Sequence, residues 1–144
     1  MIAVDTNLLV HAHQREASLH PRAREAIRRL AESPVPWAIS LHCFVEFYGV
    51  ATHPKLWKKP STPEQALDQI SAWRESPSLR VLCDSPGVLD KLSELAVSGS
   101  VRGALIHDAR IASSCLVAGV SELWTVDRDY SRFPSIKTRN PLGA

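Results

Sequence analysis

The chain is short of cysteine, net charge and long apolar runs, and each shortage excludes something. Its three cysteines, Cys43, Cys83 and Cys115, lie far apart with no Cys-X-X-Cys pair, which argues against a zinc knuckle. All three sit in apolar contexts, so buried, reduced thiols in a cytoplasmic protein are expected. No apolar stretch approaches the roughly 20 residues a membrane span needs. No basic segment precedes the opening Met1-Ile2-Ala3-Val4-Asp5, which argues against a signal peptide. The formal net charge of +2 is too small to mark a nucleic-acid binder by itself. No low-complexity tract, internal repeat or dividing linker is evident. One domain over residues 1–144 is therefore expected, long enough to bury roughly two-thirds of its unfolded surface. Hydrophobic content of 44% and charged content of 22% are globular values.

What is present alternates between two periodicities. Ile2 to Val4 reads as a strand, and a helix starts over Asn7 to His11 with Thr6 near its cap. Pro21 opens a helix to about Glu32, with Ala23, Ala26, Ile27 and Leu30 at helical spacing. Trp37–Ser40 reads as a second strand, and residues 41–51 as a helix. Residues 52–61, rich in proline and lysine, read as a loop. Thr62, Pro63 and Glu64 cap and open a helix to about Arg74. Leu79–Leu82 is a third strand, and a helix runs from Pro86 to about Val97. Another spans residues 104–118 and stops at Gly119. Leu123–Val126 and Ile136–Thr138 are a fourth and a short fifth strand. Such alternation implies an α/β fold: a central, mostly parallel sheet of four to five strands with helices on both faces.

Four carboxylates stand where a folding chain does not normally put them. Asp5 closes the first strand, Glu46 is the only charge in Cys43–Val50, Asp108 begins an apolar helix pattern, and Asp127 follows Leu123-Trp124-Thr125-Val126. An ionised carboxylate is rarely buried unless it is paired or binds a metal. In an open parallel sheet, ligands bind beyond the carboxyl ends of the strands, where Asp5 and Asp127 would lie. All-oxygen ligands of this kind suit Mg2+ or Mn2+. Each acid also has a plainer reading. Asp5 can cap the following helix, Asp108 can favour a helix dipole, and Asp127 with Asp129 can form an Asx-type turn before Tyr130. Glu46 is hardest to explain that way.

Basic residues fall in clusters: Arg22, Arg24, Arg28 and Arg29; Lys55, Lys58 and Lys59; Arg128 and Arg132 around the last acids. They read either as phosphate contacts or as a solvated helix face and polar loop. His11 and His13 lie two apart, a spacing that does not let both share an ion on a helix.

Three segments resemble a known family. Val4-Asp5-Thr6-Asn7, Ser40 through Phe47 (SLHCFVEF), and the pair His107–Ala112 with Thr125–Tyr130 are similar to PIN-domain ribonucleases, specifically VapC-type toxins of bacterial toxin–antitoxin modules. TVDRDYSRFP is the most specific piece, and the similarity spans nearly the whole chain. The resemblance implies a PIN-like fold and a metal-dependent endoribonuclease that leaves 5′-phosphate and 3′-hydroxyl ends. By position, Asp5, Glu46, Asp108 and Asp127 would be catalytic and metal-binding, with Asp129 a possible fifth acid. Thr6, Asn7 and Thr125 would orient ligands or water. Lys55, Trp57, Lys58 and Arg128 would touch RNA, Trp57 by stacking on an unpaired base; a Trp57 that pins the loop from beneath is the alternative. The resemblance also implies a VapB-like antitoxin and a homodimer, with contacts from helices between residues 21 and 75. The RNA cut stays open.

Two other functions fit parts of the pattern. Haloacid-dehalogenase-like phosphatases also end a first strand in Asp, but usually carry a second Asp where this chain has Asn7. A non-catalytic RNA-binding or partner-binding module could keep the fold, although the full set of acids speaks against lost chemistry.

Overall fold

The computed structural model describes residues 1–143. Its elements run β1 (Ile2–Val4), α1 (Thr6–His13), α2 (His20–Glu32), β2 (Trp37–Ser40), α3 (Leu41–Ala51), α4 (Pro63–Arg74), β3 (Leu79–Leu82), α5 (Pro86–Ser98), α6 (Ile106–Val117), β4 (Glu122–Trp124) and β5 (Thr138–Arg139). Short 3-10 turns cover Gly103–Leu105 and Asp129–Arg132.

The five strands are all parallel and lie in the order β3-β2-β1-β4-β5. From β1 the chain steps outward to β2 and β3, then returns to the other side of β1 for β4 and β5. Right-handed crossovers therefore place the two sets of helices on opposite faces. Helix α1 packs on α2 and α3, α3 packs on α4, and α5 packs on α6. The reversal of direction falls between β1 and β4, which is where an open sheet leaves a crevice beyond its strand ends.

Burial follows from this layering. All four residues of β2 are buried, as a strand covered on both faces must be, whereas β3 at the edge is only half-covered. Trp37, Phe47, Tyr130, Phe133, Leu8, Leu9 and Ile39 are the large, fully enclosed side chains. The Trp37 indole satisfies its one donor on Ser76 Oγ at 3.1 Å.

Several boundaries depart from the sequence reading, each for a local reason. The cap of α1 is Asp5, not Thr6: its carboxylate accepts from the Thr6 N–H at 2.8 Å. Strand β4 ends at Trp124 rather than Val126: the Thr125 N–H still reaches the Arg139 carbonyl, but the Val126 N–H turns to Asn7 Oδ1 at 3.4 Å. The fifth strand is Thr138–Arg139, not Ile136–Thr138. The Ile136 N–H is spent in a turn on the Phe133 carbonyl, and the ladder with β4 starts at the Lys137 carbonyl. The helix expected over 104–118 begins as a 3-10 turn after Gly103, at φ +60°, and becomes α-helical at Ile106. Cys43 and Cys115 are buried, but Cys83 is exposed beyond the edge strand.

Two arginines of the α2 cluster are paired along their own helix. Arg28 pairs with Glu25 and Glu32, and Arg29 with Glu25. Arg22 donates to the Leu142 carbonyl at 3.2 Å, tying the chain end to the same helix.

Candidate active site

Asp5 stands at the reversal of the sheet, between β1 and α1, and is only 4% exposed. Its Oδ1 accepts from the Thr6 N–H at 2.8 Å, and its Oδ2 from the Thr125 hydroxyl at 2.7 Å. The Asn7 amide reaches Oδ2 at 3.4 Å and Thr125 Oγ1 at 3.1 Å. Capping and site-building are thus one arrangement: the helix start fixes the carboxylate, and β4 locks it from the other side. Tyr130 lies buried beneath, its hydroxyl without a well-formed partner and its pKa pushed up by burial and then by the Asp5 charge.

Glu46 enters from α3. Its Oε1 accepts from the Thr6 hydroxyl at 2.9 Å, and His42, one turn earlier, places Nε2 3.3 Å from the same oxygen. That buried nitrogen makes no well-aligned hydrogen bond, and burial lowers the His42 pKa, favouring the neutral ring. The His42 ring stacks on His107 at 5.5 Å with planes 10° apart. Arg110, near the same pair, is committed elsewhere: its Nε donates to Asp84 at 2.8 Å, and Ser114 binds the same carboxylate.

The tightest grouping is Asp108, Asp127 and Asp129, each with a carboxylate oxygen within 4.8 Å of the others. Asp108 comes from the first turn of α6. Asp127 forms the Asx turn, its Oδ1 accepting from the Asp129 N–H at 2.8 Å, and it still faces Asp108. Asp5 and Glu46 stand outside this set, but with Asp108 and Asp127 they line one cavity of about 410 Å3.

Electrostatics make the grouping uneasy on its own. Burial, opposed by the hydrogen bonds from Thr125 and Thr6, pushes Asp5 up to about 6. Asp108 is pushed up to about 7, first by desolvation and then by the charges of Asp127, Asp5, Asp129 and Glu46. Among the described residues no lysine or arginine makes an ion pair with any of these acids. Crowded, all-oxygen donors without a protein cation fit a hard divalent ion, which would reverse both shifts. Asp108, Asp127 and the exposed Asp129 lie close enough together to share one ion, while Asp5 and Glu46 border the same cavity outside that set.

The remaining sequence candidates divide. Thr6, Asn7 and Thr125 all contact the acids. Trp57 lines the cavity, and its Nε1–H donates to the Val50 carbonyl at 2.9 Å, so it also pins the loop. Lys55, Lys58 and Arg128 do not line it; the Lys58 and Lys59 N–H groups instead bind the Glu16 carboxylate at 3.0 and 2.9 Å. His11 and His13 part as their spacing requires: His11 lines the acidic cavity, while His13 bonds Gln69 and Ser61 at 3.0 and 2.7 Å. Sequence reasoning missed the apolar wall of Val10, Val50 and Leu56. The 3.6-residue spacing from Asn7 to His11 and from Glu46 to Val50 was the available signal.

A sequence model of the PIN domain matches residues 2–136. The chain is 28% identical over 142 residues to Ribonuclease VapC48 of Mycobacterium tuberculosis, covering 96% of this chain and 95% of that one. It is also 28% identical to VapC ribonuclease Mb2897 of Mycobacterium bovis, covering 99% and 96%. Among solved structures, Mycobacterium tuberculosis VapC20, described as a Sarcin-Ricin loop cleaving toxin, superposes with a TM-score of 0.69 at 21% identity, over 91% of this chain and 93% of that one. VapBC2 from Rickettsia felis, bound to a DNA fragment from its promoter, gives 0.70 at 23%, over 97% and 98%. Those two likenesses concern the fold.

Proposed function

The chain belongs to the PIN domain family, and from that premise we propose that it is a divalent-metal-dependent endoribonuclease, the toxin of a VapBC-type module. The observation that carries the reading is the convergence of four acids, from four segments, on one cavity without a protein cation. The names of its ribonuclease relatives support the substrate class.

In this reading Asp5, Asp108 and Asp127 hold Mg2+ or Mn2+, and Asp129 helps at the rim. When bound, the ion offsets charge building on the phosphate and makes water more acidic. Glu46, steadied by the Thr6 hydroxyl, orients the attacking water or supports a second ion. Thr125, Asn7 and the Thr6 N–H hold Asp5 so that its oxygens keep their direction. Attack in line expels the 3′-oxygen and leaves 5′-phosphate and 3′-hydroxyl ends. Arg128 is exposed and follows Asp127 in the chain, and in this reading it meets a neighbouring phosphate outside the cavity.

The chain acts as one PIN domain in the cytoplasm, partnered by a VapB-like antitoxin and a second copy. Of the helices between residues 21 and 75, α3 and α4 offer the contact surface. Leu41, Val45 and Leu67 are exposed there and border a groove with Val81 of β3. The outer face of α2 is charged instead. No helix among the described residues is long and apolar enough to cross a membrane.

A phosphatase that uses Asp5 as nucleophile is disfavoured, because the position two residues on, where such enzymes usually carry a second Asp, holds Asn7, whose amide reaches Asp5 Oδ2 at 3.4 Å. The test is cleavage of total cellular RNA with magnesium or manganese by the wild type and Asp5→Asn. Discrete metal-dependent fragments that vanish in the variant are expected. Equal cleavage by both proteins sinks the site assignment.

A further inference from the structure

The acidic cavity is lined by two unlike groups of residues. One is the carboxylates. The other is Val10, Val50, Leu56 and Trp57, with a single imidazole, His11, among them. The cation and a phosphodiester account for the first group. Nothing in phosphate hydrolysis calls for the second.

We propose that this apolar wall takes one unpaired base of the RNA strand, the base next to the phosphate being cut, and that His11 reads its edge. The inference rests on the ribonuclease reading above and names the recognition element of that same cavity.

Three observations carry it. The wall is rigid: Trp57 is tied to the Val50 carbonyl, and the following backbone N–H groups of Lys58 and Lys59 are tied to Glu16. A surface held this firmly selects by shape instead of moulding to any neighbour. Leu56 is 55% exposed although it borders a polar site, and a large apolar side chain kept in the open beside a functional cavity is the kind that meets a ligand. Bases in single strands are recognised by contact with their flat faces plus a few hydrogen bonds to their edges.

His11 supplies the edge contact. Its Nδ1 is shielded from solvent and has no partner, and its ring makes no hydrogen bond among the described residues. Leaving a lone pair stranded at Nδ1 costs less than stranding an N–H, so the proton belongs on Nε2. Burial keeps the ring neutral by lowering its pKa. The imidazole therefore offers one donor, Nε2–H, to an acceptor on the base. The lysines of the loop, which do not line the cavity, are left to the strand's outer phosphates.

The test is cleavage of short single-stranded RNAs randomised around one cut site, scored base by base, for wild type, Leu56→Ala, Leu56→Met and His11→Ala. Melting curves check that each variant folds; Leu56, being exposed, tolerates truncation. Leu56→Ala and His11→Ala are expected to flatten the base preference at one and the same position, by roughly tenfold as the loss of one stacked or hydrogen-bonded base would. Leu56→Met, which keeps the apolar surface, is expected to retain it. If the variants cleave with an unchanged preference at every position, or lose rate equally on all sequences, the wall is not a base site, and the ribonuclease reading stands. If the wild type cleaves no RNA, the ribonuclease reading falls and this inference with it.

Discussion

Carboxylates on the outer face of α2 and carboxylates at the strand ends are the same chemical group driven in opposite directions. Glu25 accepts from Arg28 at 2.7 Å and from Arg29 at 3.1 Å, and those hydrogen bonds pull it down to about 2. Asp108, among four other acids and partly desolvated, rises to about 7. On α2 the partners come from one helix at three- and four-residue spacing, so these charges pair locally. At the strand ends the acids arrive from four segments and, among the described residues, no lysine or arginine pairs with them. A charged cluster that is already paired is finished, whereas one that folding leaves unpaired asks for a partner from outside.

The largest expected effect removes the unpaired cluster. Asp108→Asn should lose cleavage by about a hundred-fold or more, beyond what loss of a mere supporting residue costs. The same variant, without metal, should melt at a higher temperature than the wild type at pH 7.5. A parallel drop in both properties would mean that Asp108 is structural.

A smaller effect comes from the support beneath Asp5. Thr125→Val keeps the shape but removes the 2.7 Å donor to Oδ2. Metal affinity, measured by calorimetry, should weaken by roughly 10- to 100-fold with the fold intact. Unchanged affinity would detach β4 from the site.

The pH dependence has a definite sign. Folding raises Asp5 and Asp108 from 3.8 to about 6 and about 7, so the folded state holds these protons more tightly than the unfolded chain. Their contribution favours the fold at acid pH and is lost as pH rises from about 4 to about 7. Added magnesium or manganese should restore stability at pH 8 and do little near pH 5, as read from melting temperatures across that range. A metal effect that is flat with pH would contradict the cluster.

The smallest effect belongs to the paired face. Glu25→Gln breaks an exposed network, and both melting temperature and cleavage should stay within experimental scatter. A clear loss of cleavage would make α2 part of the machinery.

Much of this was legible before the structure. The bounds of β2, β3, α3 and α4 follow from β-branched and aromatic runs, capping residues and first-turn prolines, all of which act over a few neighbours. The end of β4 and the start of β5 differ from the sequence reading, because the Val126 N–H turns to Asn7 and the Ile136 N–H to the Phe133 carbonyl; Asp5, offered as a helix cap from the sequence, does cap α1. Leu56 could not be singled out, since it breaks no local rule, and His11 is weighed only as a metal ligand with His13. Cys83 looked buried from its neighbours yet lies beyond an edge strand.

The sequence by itself determined the alternation of strands and helices and the presence of acids at segment ends, because propensity, capping and apolar period are short-range. It also carried the family resemblance, since TVDRDYSRFP and its companions stand in the chain regardless of folding. Only the tertiary structure decided which charges stayed unpaired, which acids draw within 4.8 Å, and that an apolar wall faces them. Those outcomes depend on the strand order and on the reversal between β1 and β4, which bring residues more than a hundred positions apart to one crevice.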